Sequence, residues 1–289
     1  LVTSSPDGVS PGDVTVASGG SITVAAGQAA VTIDSNNDVT IQSGGQLASS
    51  AADNSSGVVV SGTRTGAISN AGAINLTDNY TISDSDNDGN LDGEWATGTN
   101  RNGIFLQAGS NLIGNISNTG GINIEGENSA AIRIDGTLTG DLLSTGAIVI
   151  TGDNSNAVVI NGGTTGGVTG DVIIRGAGTV RGENATGVLV NGVIGGDLRI
   201  NGSWSVSGFH AIARPADISA FDPDDTLIGG SAVEVRYSVG GGIVIEGVGV
   251  EDDLDDDGDG VLETDPGGDP DDDNTAVLTV YGSAPAILI

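Results

Sequence analysis

The sequence predicts an all-β chain that folds as a right-handed parallel β-helix, a solenoid with three short strands in each coil of about 26 residues. Three observations lead to this prediction. Glycine contributes 50 of the 289 residues and aromatic residues only 3%, so a core packed around aromatic rings is not expected. The apolar residues are mostly Val, Ile, Leu and Ala, which suit β-strands. These residues form short clusters bounded by Gly or Asn, and the clusters recur at a regular spacing.

One repeated segment carries most of this prediction. Its copies share an acidic residue, an Asn, a small residue, alternating apolar residues and a closing Gly, and they span 53–62, 127–136, 153–162 and 183–192. The last three begin 26 and 30 residues apart. Within a repeat, a second apolar cluster follows a Gly-Asp pair, as at Gly140-Asp141, and a third follows, as at 148–150. Three strands in each period make one coil of a three-sided helix.

Alternation along the first strand predicts which side chains point inward. The inward pairs are Val58 and Val60, Ile132 and Ile134, Val158 and Ile160, and Val188 and Val190. Arg133 lies between two Ile residues and marks the outward position, which Phe105, Val159 and Leu189 share, so exposed apolar groups are expected there. Roughly nine stacked coils would give a rod of about 40 Å.

The Asn residues near the start of each copy are expected to stack as a ladder of side-chain amides that bond to one another and to the turns. They are Asn54, Asn128, Asn154 and Asn184.

Charge excludes several classes of partner. The net charge is −30, from 38 acidic and 8 basic residues, so no nucleic-acid partner is expected. No stretch approaches the roughly 20 apolar residues of a membrane helix, so no direct membrane insertion of this segment is expected. There is no Cys, and disulfides therefore do not hold the fold. His210 is the single His, which leaves no second His for a nucleophilic triad, and the Arg residues are scattered.

The chain is predicted to be one solenoid over 1–289, interrupted by insertion loops at 79–100, 215–230 and 251–274. The first and third are acidic, and both contain the pattern D-x-D-x-D-G-x-L-[DE]. Each follows an apolar cluster, at 74–76 and 243–245, that looks like the third strand of a coil. The sequence therefore places both acidic insertions at the same corner of the solenoid.

The repeated acidic pattern predicts two Ca²⁺ sites. Carboxylates at alternate positions converge on a cation when Gly allows a sharp turn, and oxygen ligands favour Ca²⁺ over Zn²⁺ or Cu²⁺. The predicted ligands are Asp84, Asp86, Asp88, Asn90 and Asp92, and Asp255, Asp257, Asp259, Val261 and Glu263. The pattern departs from an EF-hand at its twelfth place, where Trp95 and Pro266 stand. The alternative is that both segments are solvated acidic turns that hold no ion.

The recurring G-[DE]-N-S segment, as at 126–129 and 152–155, resembles the passenger domains of bacterial autotransporters of alphaproteobacterial type. The Ser-Asn-x-Gly-x-Ile turns at 69–74 and 117–122 strengthen the resemblance. The resemblance covers most of the chain from residue 30 onward. It implies display on the bacterial cell surface or secretion, with an outer-membrane β-barrel elsewhere in the parent protein.

The expected function is that of an extracellular structural or adhesive rod with Ca²⁺-stabilised acidic loops, which contacts host cells, cell surfaces or other copies of itself. No enzymatic activity is expected. Two alternatives stay open: a subunit of an S-layer or extracellular filament, and a β-helical polysaccharide lyase or hydrolase. The lyase would need convergent carboxylates, or Ca²⁺ beside a basic residue, in a groove.

Overall fold

The computed structural model describes residues 1–84, 93, 95–208, 223, 227–245 and 276–289. Over these residues the chain is all-β, without helices, and every strand pairing is parallel. The strands, numbered β1 to β27 in chain order, build three parallel sheets that the chain visits in turn. This is the predicted parallel β-helix, with three strands in each coil. In the described part of the chain, no helix is long and apolar enough to cross a membrane.

The sheet that we call A contains the first strand of each coil. Its main path consists of β3 (Ala29–Ile33), β6 (Ser56–Val60), β10 (Asn102–Leu106), β14 (Ala130–Ile134), β18 (Asn156–Val168), β21 (Thr186–Ile194), β24 (Val233–Val235) and β27 (Ile287–Leu288). Three further strands extend it sideways: β7 (Thr63–Thr65), β11 (Asn111–Ile113) and β15 (Thr137–Thr139).

Sheets B and C contain the second and third strands of each coil. Sheet B consists of β1 (Val14–Val16), β4 (Val39–Ile41), β8 (Ile68–Asn70), β12 (Ile116–Asn118), β16 (Leu142–Ser144), β19 (Val172–Ile174), β22 (Asp197–Ile200) and β25 (Gly242–Ile245). Sheet C consists of β2 (Ser21–Thr23), β5 (Gln46–Ser50), β9 (Ala73–Thr77), β13 (Gly121–Glu125), β17 (Ile148–Thr151), β20 (Gly178–Arg181), β23 (Ser203–Ser207) and β26 (Val277–Val280). Each of these two sheets has eight strands in the described part of the chain. At a spacing of about 4.8 Å they span about 34 Å, slightly less than the length of about 40 Å expected for nine coils.

The core is one continuous stack of inward side chains. The eight predicted inward residues of the first strand are all fully buried. In sheet C the inward row runs through Ile122, Ile148, Gly178 and Trp204, each in register with the next. A Cβ on Gly178 would lie 2.2 Å from the Trp204 ring, so the missing side chain of one coil makes room for the indole of the next.

The outward row of sheet A corrects one expectation. Val59 and Val159 point outward, yet they are only 7% and 4% exposed. They lie in register between the outward side chains of adjacent coils, for example Phe105 beside Val59 and Arg133 beside Val159. Because adjacent strands are so close, these side chains cover one another.

The unequal spacing of the repeats is produced by a bulge in β18. Regular coils repeat every 26 residues, as between Ala130 and Asn156, whereas Asn156 pairs with Thr186, 30 residues on. The register shifts between Ile160 and Gly167, and the strand pairs again at the 26-residue spacing beyond it. Four extra residues therefore loop out without disturbing the neighbouring coils.

The acidic insertion 251–274 does not share a corner with the acidic insertion 79–100, so the expectation of a common corner is wrong. Residues 243–245 belong to β25 and pair with Leu198–Ile200 of sheet B, so they form a second strand and not a third. The segment 251–274 therefore connects sheet B to sheet C. The first-strand role after β23 is taken by β24, whose Val233 pairs with Val188. Insertion 215–230 consequently lies between sheets C and A, the corner from which insertion 79–100 also leaves.

Candidate functional site

The first acidic insertion joins the last residue of β9, Thr77, to the first residue of β10, Asn102. Ser56 pairs with Asn102 after 46 residues, whereas Asn102 pairs with Ala130 after 28. The described residues of the insertion are its two flanks, 78–84 and 95–101, together with Gly93. These flanks are bound closely to the side of the solenoid, and they form the candidate site.

Asp78 fixes the point where the insertion leaves the solenoid. Its backbone N–H donates to Glu125 Oε2 at 2.8 Å, and its Oδ2 accepts from the Gly98 N–H at 2.8 Å. Its Oδ1 accepts from Arg101 Nη2 at 3.1 Å. Burial opposes ionisation of this carboxyl, but the bonds from Gly98 and Arg101 outweigh it and hold the pKa of Asp78 below its ordinary value of 3.8. The outgoing and returning flanks are thus joined through one carboxylate.

Arg101 fixes the point where the insertion returns. Its side chain is 1% exposed, and its Nη2 also donates to Asp53 Oδ1 at 3.0 Å. Nε donates to the Ala52 carbonyl at 3.2 Å, and Nη1 donates to the Glu125 carbonyl. We call Asp53, Asp78 and Arg101 the arginine clasp. Removing the cation from such a buried cluster typically costs about 3–5 kcal/mol, because a buried carboxylate is left without its partner.

Arg101 occupies a place that is filled by small residues in other coils. It follows Asn100 as Ser55 follows Asn54 and as Ser129 follows Asn128. In the coils of β6, β14 and β18 this row is made of buried hydroxyls, and in the coil of β21 it is occupied by Ala185. Ser155 Oγ accepts from the Ser129 N–H at 3.0 Å, and Ser129 Oγ accepts from the Arg101 N–H at 2.9 Å. The sequence contained a signal for the clasp, since an Arg interrupts a row of serines, but the Arg residues had been treated as scattered.

The flanks extend along the solenoid beyond the clasp. The side chain of Tyr80 lies near Glu125, Thr151 and Arg181, and burial, followed by the charge of Glu125, raises the pKa of Tyr80. The ring of Trp95, which is 6% exposed, lies 5.1 Å from the guanidinium carbon of Arg181. Glu125, Thr151 and Arg181 are in-register neighbours in sheet C. The insertion is therefore attached across four successive strands, from β9 to β20.

The predicted metal ligands lie largely outside the described residues. Of the first set only Asp84 is described, and it has interactions with other groups. Asp86, Asp88, Asn90 and Asp92 lie outside the described residues, as does the whole second set, Asp255, Asp257, Asp259, Val261 and Glu263. Within the described ranges, no cluster of three or more His, Cys, Asp or Glu residues is arranged to hold a metal.

A second stacked row explains the recurring Gly-Asp pairs. Asp171 Oδ1 accepts from the Asp197 N–H at 2.8 Å, and Asp141 Oδ1 accepts from the Asp171 N–H at 2.9 Å. Asn115 bonds in the same way to the Asp141 N–H. Each side chain caps the backbone of the next coil, so these carboxylates have a structural role that the sequence analysis did not assign.

The Asn residues of the repeat have a common backbone conformation. Asn54, Asn128, Asn154 and Asn184 have φ between 52° and 56°, a left-handed region that Asn adopts more readily than most residues. Asn100 shares it, and its Nδ2 donates to Asn54 Oδ1 at 3.1 Å. A fully buried amide row lies elsewhere, where Asn70 donates to Asn118 at 2.7 Å. The repeat Asn is thus explained first by the turn it makes.

Comparison of the chain with models of protein families, with curated proteins and with solved structures found no match.

Proposed function

We propose that this chain is an extracellular structural or adhesive rod of a bacterial cell-surface protein, which displays acidic loops stabilised by Ca²⁺. The observation that carries the proposal is the attachment of the first acidic insertion. A buried clasp closes its base, and its flanks are bound over four successive strands of sheet C. A loop used for contact with another surface needs such a rigid base on a repeat scaffold.

The resemblance to autotransporter passengers supports the proposed location. In that arrangement the parent protein carries an outer-membrane β-barrel outside this segment, and the solenoid stands away from the cell. The net charge of −30 suits a soluble surface in contact with divalent cations and repels anionic lipid.

Calcium is proposed as the ion that orders the acidic loops. Two copies of one nine-residue pattern supply alternate carboxylates around a Gly, which is the arrangement that Ca²⁺ loops use. A cation would also relieve the repulsion between these neighbouring carboxylates.

Thermal unfolding in millimolar Ca²⁺ and then in excess EDTA tests the metal proposal. Binding to the folded chain at one hundred times Kd adds about 2.7 kcal/mol, so the midpoint should be clearly higher with Ca²⁺. The Asp86→Asn/Asp88→Asn variant should lose part of the increase, and Asp255→Asn/Asp257→Asn another part. The matched control is Asp271→Asn/Asp272→Asn, in an acidic run that lacks the pattern. Equal midpoints in Ca²⁺ and EDTA would refute the metal proposal.

Cell capture tests the adhesive role. Surfaces coated with the purified chain should retain bacterial or epithelial cells, and a chain that lacks 79–94 but keeps the clasp should retain fewer. Failure of both coatings to retain cells would count against adhesion. Long ordered polymers in electron micrographs of the purified chain would favour the filament alternative instead.

A further inference from the structure

A groove lies on the outer face of sheet A, where Asn100, at the returning end of the acidic insertion, is one of its lining residues. Its volume is about 590 Å³, and it crosses the first strands of the coils that contain β3, β6 and β10, with Arg133 of β14 at one end. The groove thus runs along the solenoid across four coils. Its size lies within the range of small-molecule sites.

The floor of the groove is the outward row of the sheet. Thr32, Val59, Phe105 and Arg133 are in-register neighbours on consecutive strands. The Arg133 guanidinium carbon lies 5.5 Å from the centre of the Phe105 ring, and its Nε donates to Asp135 Oδ2 at 2.8 Å. The floor therefore offers an apolar strip, one aromatic ring and a cation that already has an anionic partner.

The sides of the groove carry uncharged polar groups. Asn54, Asn100 and Asn102 line one side, and Ser61 and Gln107 line the other. Among the described residues that line the groove there is no carboxylate, although the chain contains 38 acidic residues. A lining rich in amides and hydroxyls stands out on a surface dominated by negative charge.

One lining residue has an unsatisfied polar atom. Asn102 is 6% exposed, and its Oδ1 is buried without a hydrogen-bond partner. Its Nδ2 only reaches the Asn100 carbonyl at 3.5 Å. The in-register residues on either side are Ser56 and Ala130, so the coil itself does not require an amide here. A buried carbonyl without a donor is costly, and a hydroxyl brought by a ligand would satisfy it.

We propose that this groove binds a neutral oligosaccharide. Sugar hydroxyls match the amides of Asn100, Asn102 and Gln107, which donate and accept hydrogen bonds, and an apolar sugar face can pack over Phe105. An anionic glycan is disfavoured because Asp135 already pairs with Arg133 and the whole chain is negative. An extended peptide is disfavoured because peptide recognition uses an open strand edge or apolar pockets, and this groove lies on a sheet face.

Calorimetric titration of the full chain with maltohexaose, cellohexaose and chitohexaose tests the proposal. A hexasaccharide of oligogalacturonate and a mixed-sequence decapeptide complete the set of probes. We expect at least one neutral hexasaccharide to bind with a sub-millimolar Kd and the two other probes not to bind. Binding of only the oligogalacturonate or only the peptide, or no binding by any probe at several millimolar, would overturn the proposal.

Two substitutions test whether the ligand binds in the groove. Each introduces a residue that a neighbouring coil already has at the corresponding position. Asn102→Ala introduces the residue found at position 130, and Phe105→Val introduces the residue found at position 59. Each should raise Kd at least about tenfold, by loss of a hydrogen bond or of the ring.

The matched controls lie in the same two rows outside the groove. Asn156→Ala corresponds to Asn102→Ala, and Leu189→Val corresponds to Phe105→Val. They should leave Kd unchanged, and the melting temperatures of all four variants should stay close to that of the native chain. Equal weakening by the groove variants and their controls would place the ligand elsewhere. Because no probe requires Ca²⁺, and the groove contains no residue of the segment 79–94 that the cell-capture test deletes, the outcome is independent of the calcium and cell-capture tests.

Discussion

The regular coils and the coil that carries the first insertion use the same buried position in opposite ways. In the coils of β14 and β18, Ser129 and Ser155 place a short hydroxyl there, and each bonds to backbone in its own and in the preceding coil. In the coil of β10, Arg101 places a long cation there, which reaches sideways to two carboxylates and two carbonyls. The serine hydroxyls join one coil to another, whereas Arg101 joins the acidic insertion to the solenoid.

This difference shows how a repeat tolerates an irregular segment. The hydrogen bonds that a regular coil needs are made locally, so the strands on either side keep their register across the 46-residue connection. The insertion brings one buried cation, Arg101, and its burial is possible because Asp53, Asp78 and backbone carbonyls surround it.

Arg101→Ser should have the largest effect, although it restores the residue of the regular coils. The buried Asp78 carboxylate loses its cation, and we expect a loss of about 3–5 kcal/mol in the free energy of unfolding. Chemical denaturation measures it. Ser129→Ala is the control and should cost about 1 kcal/mol. Similar losses in the two variants would mean that Arg101 is not the principal anchor.

Gly178→Ala tests a second exception, in the inward row of sheet C. The added methyl would meet the Trp204 ring, and overpacking of this kind costs about 1–3 kcal/mol. In a Trp204→Ile background the same change should cost little, since the ring is gone. A double-mutant cycle measures the coupling, and additive losses would show that the two positions are independent.

Asp78→Asn should lower the free energy of unfolding by about 1–2 kcal/mol at neutral pH, because a charged hydrogen bond is lost. The folded-state pKa of Asp78 is lowered, so its stabilisation is complete above the unfolded value near 3.8 and is lost as the pH falls below it. The stability difference between the native chain and the variant should therefore shrink as the pH falls from about 5 to about 2.5. Denaturation curves over this range check it, and a constant difference would contradict the lowered pKa.

The smallest net change in the free energy of unfolding is expected when the insertion and its anchor, Arg101, are removed together. Deleting 78–97 takes 20 of the 46 residues from the long coil and leaves the 26 of the regular ones. With Arg101→Ser in the same chain, stability should return to within about 1 kcal/mol of native, because no carboxylate of the insertion is left unpaired. A chain that stays as unstable as the single variant would show that the insertion supports the coil by other contacts.

The strands and their inward faces could be predicted because alternation and β-branched residues determine them locally. Val158 and Ile160 are buried as expected, and the outward Arg133 marks the opposite face. Burial of the outward Val159 could not be predicted, because it depends on side chains of the adjacent coils.

The sheet to which a strand belongs could not always be predicted from the sequence. The cluster at 243–245 alternates like any other strand, and only its pairing with 198–200 places it in sheet B. The first-strand copy at 231–235 was missed, although Ala232, Val233 and Val235 match the repeat. The candidate site was partly visible, since the acidic pattern was recognised but the Arg that closes its base was not.

The clasp makes the corner between sheets C and A a place where foreign sequence can be grafted. A chain that joins residue 78 to residue 95 begins at Asp78, which is bound to Glu125 of β13, and ends at Trp95, which lies against Arg181 of β20 in the same sheet. We expect the segment between the two flanks, 78–84 and 95–101, to tolerate changes in length and composition while the flanks keep their contacts. A peptide epitope inserted there would be presented from a stiff base, and a second graft could leave from the same corner four coils further on, after β23.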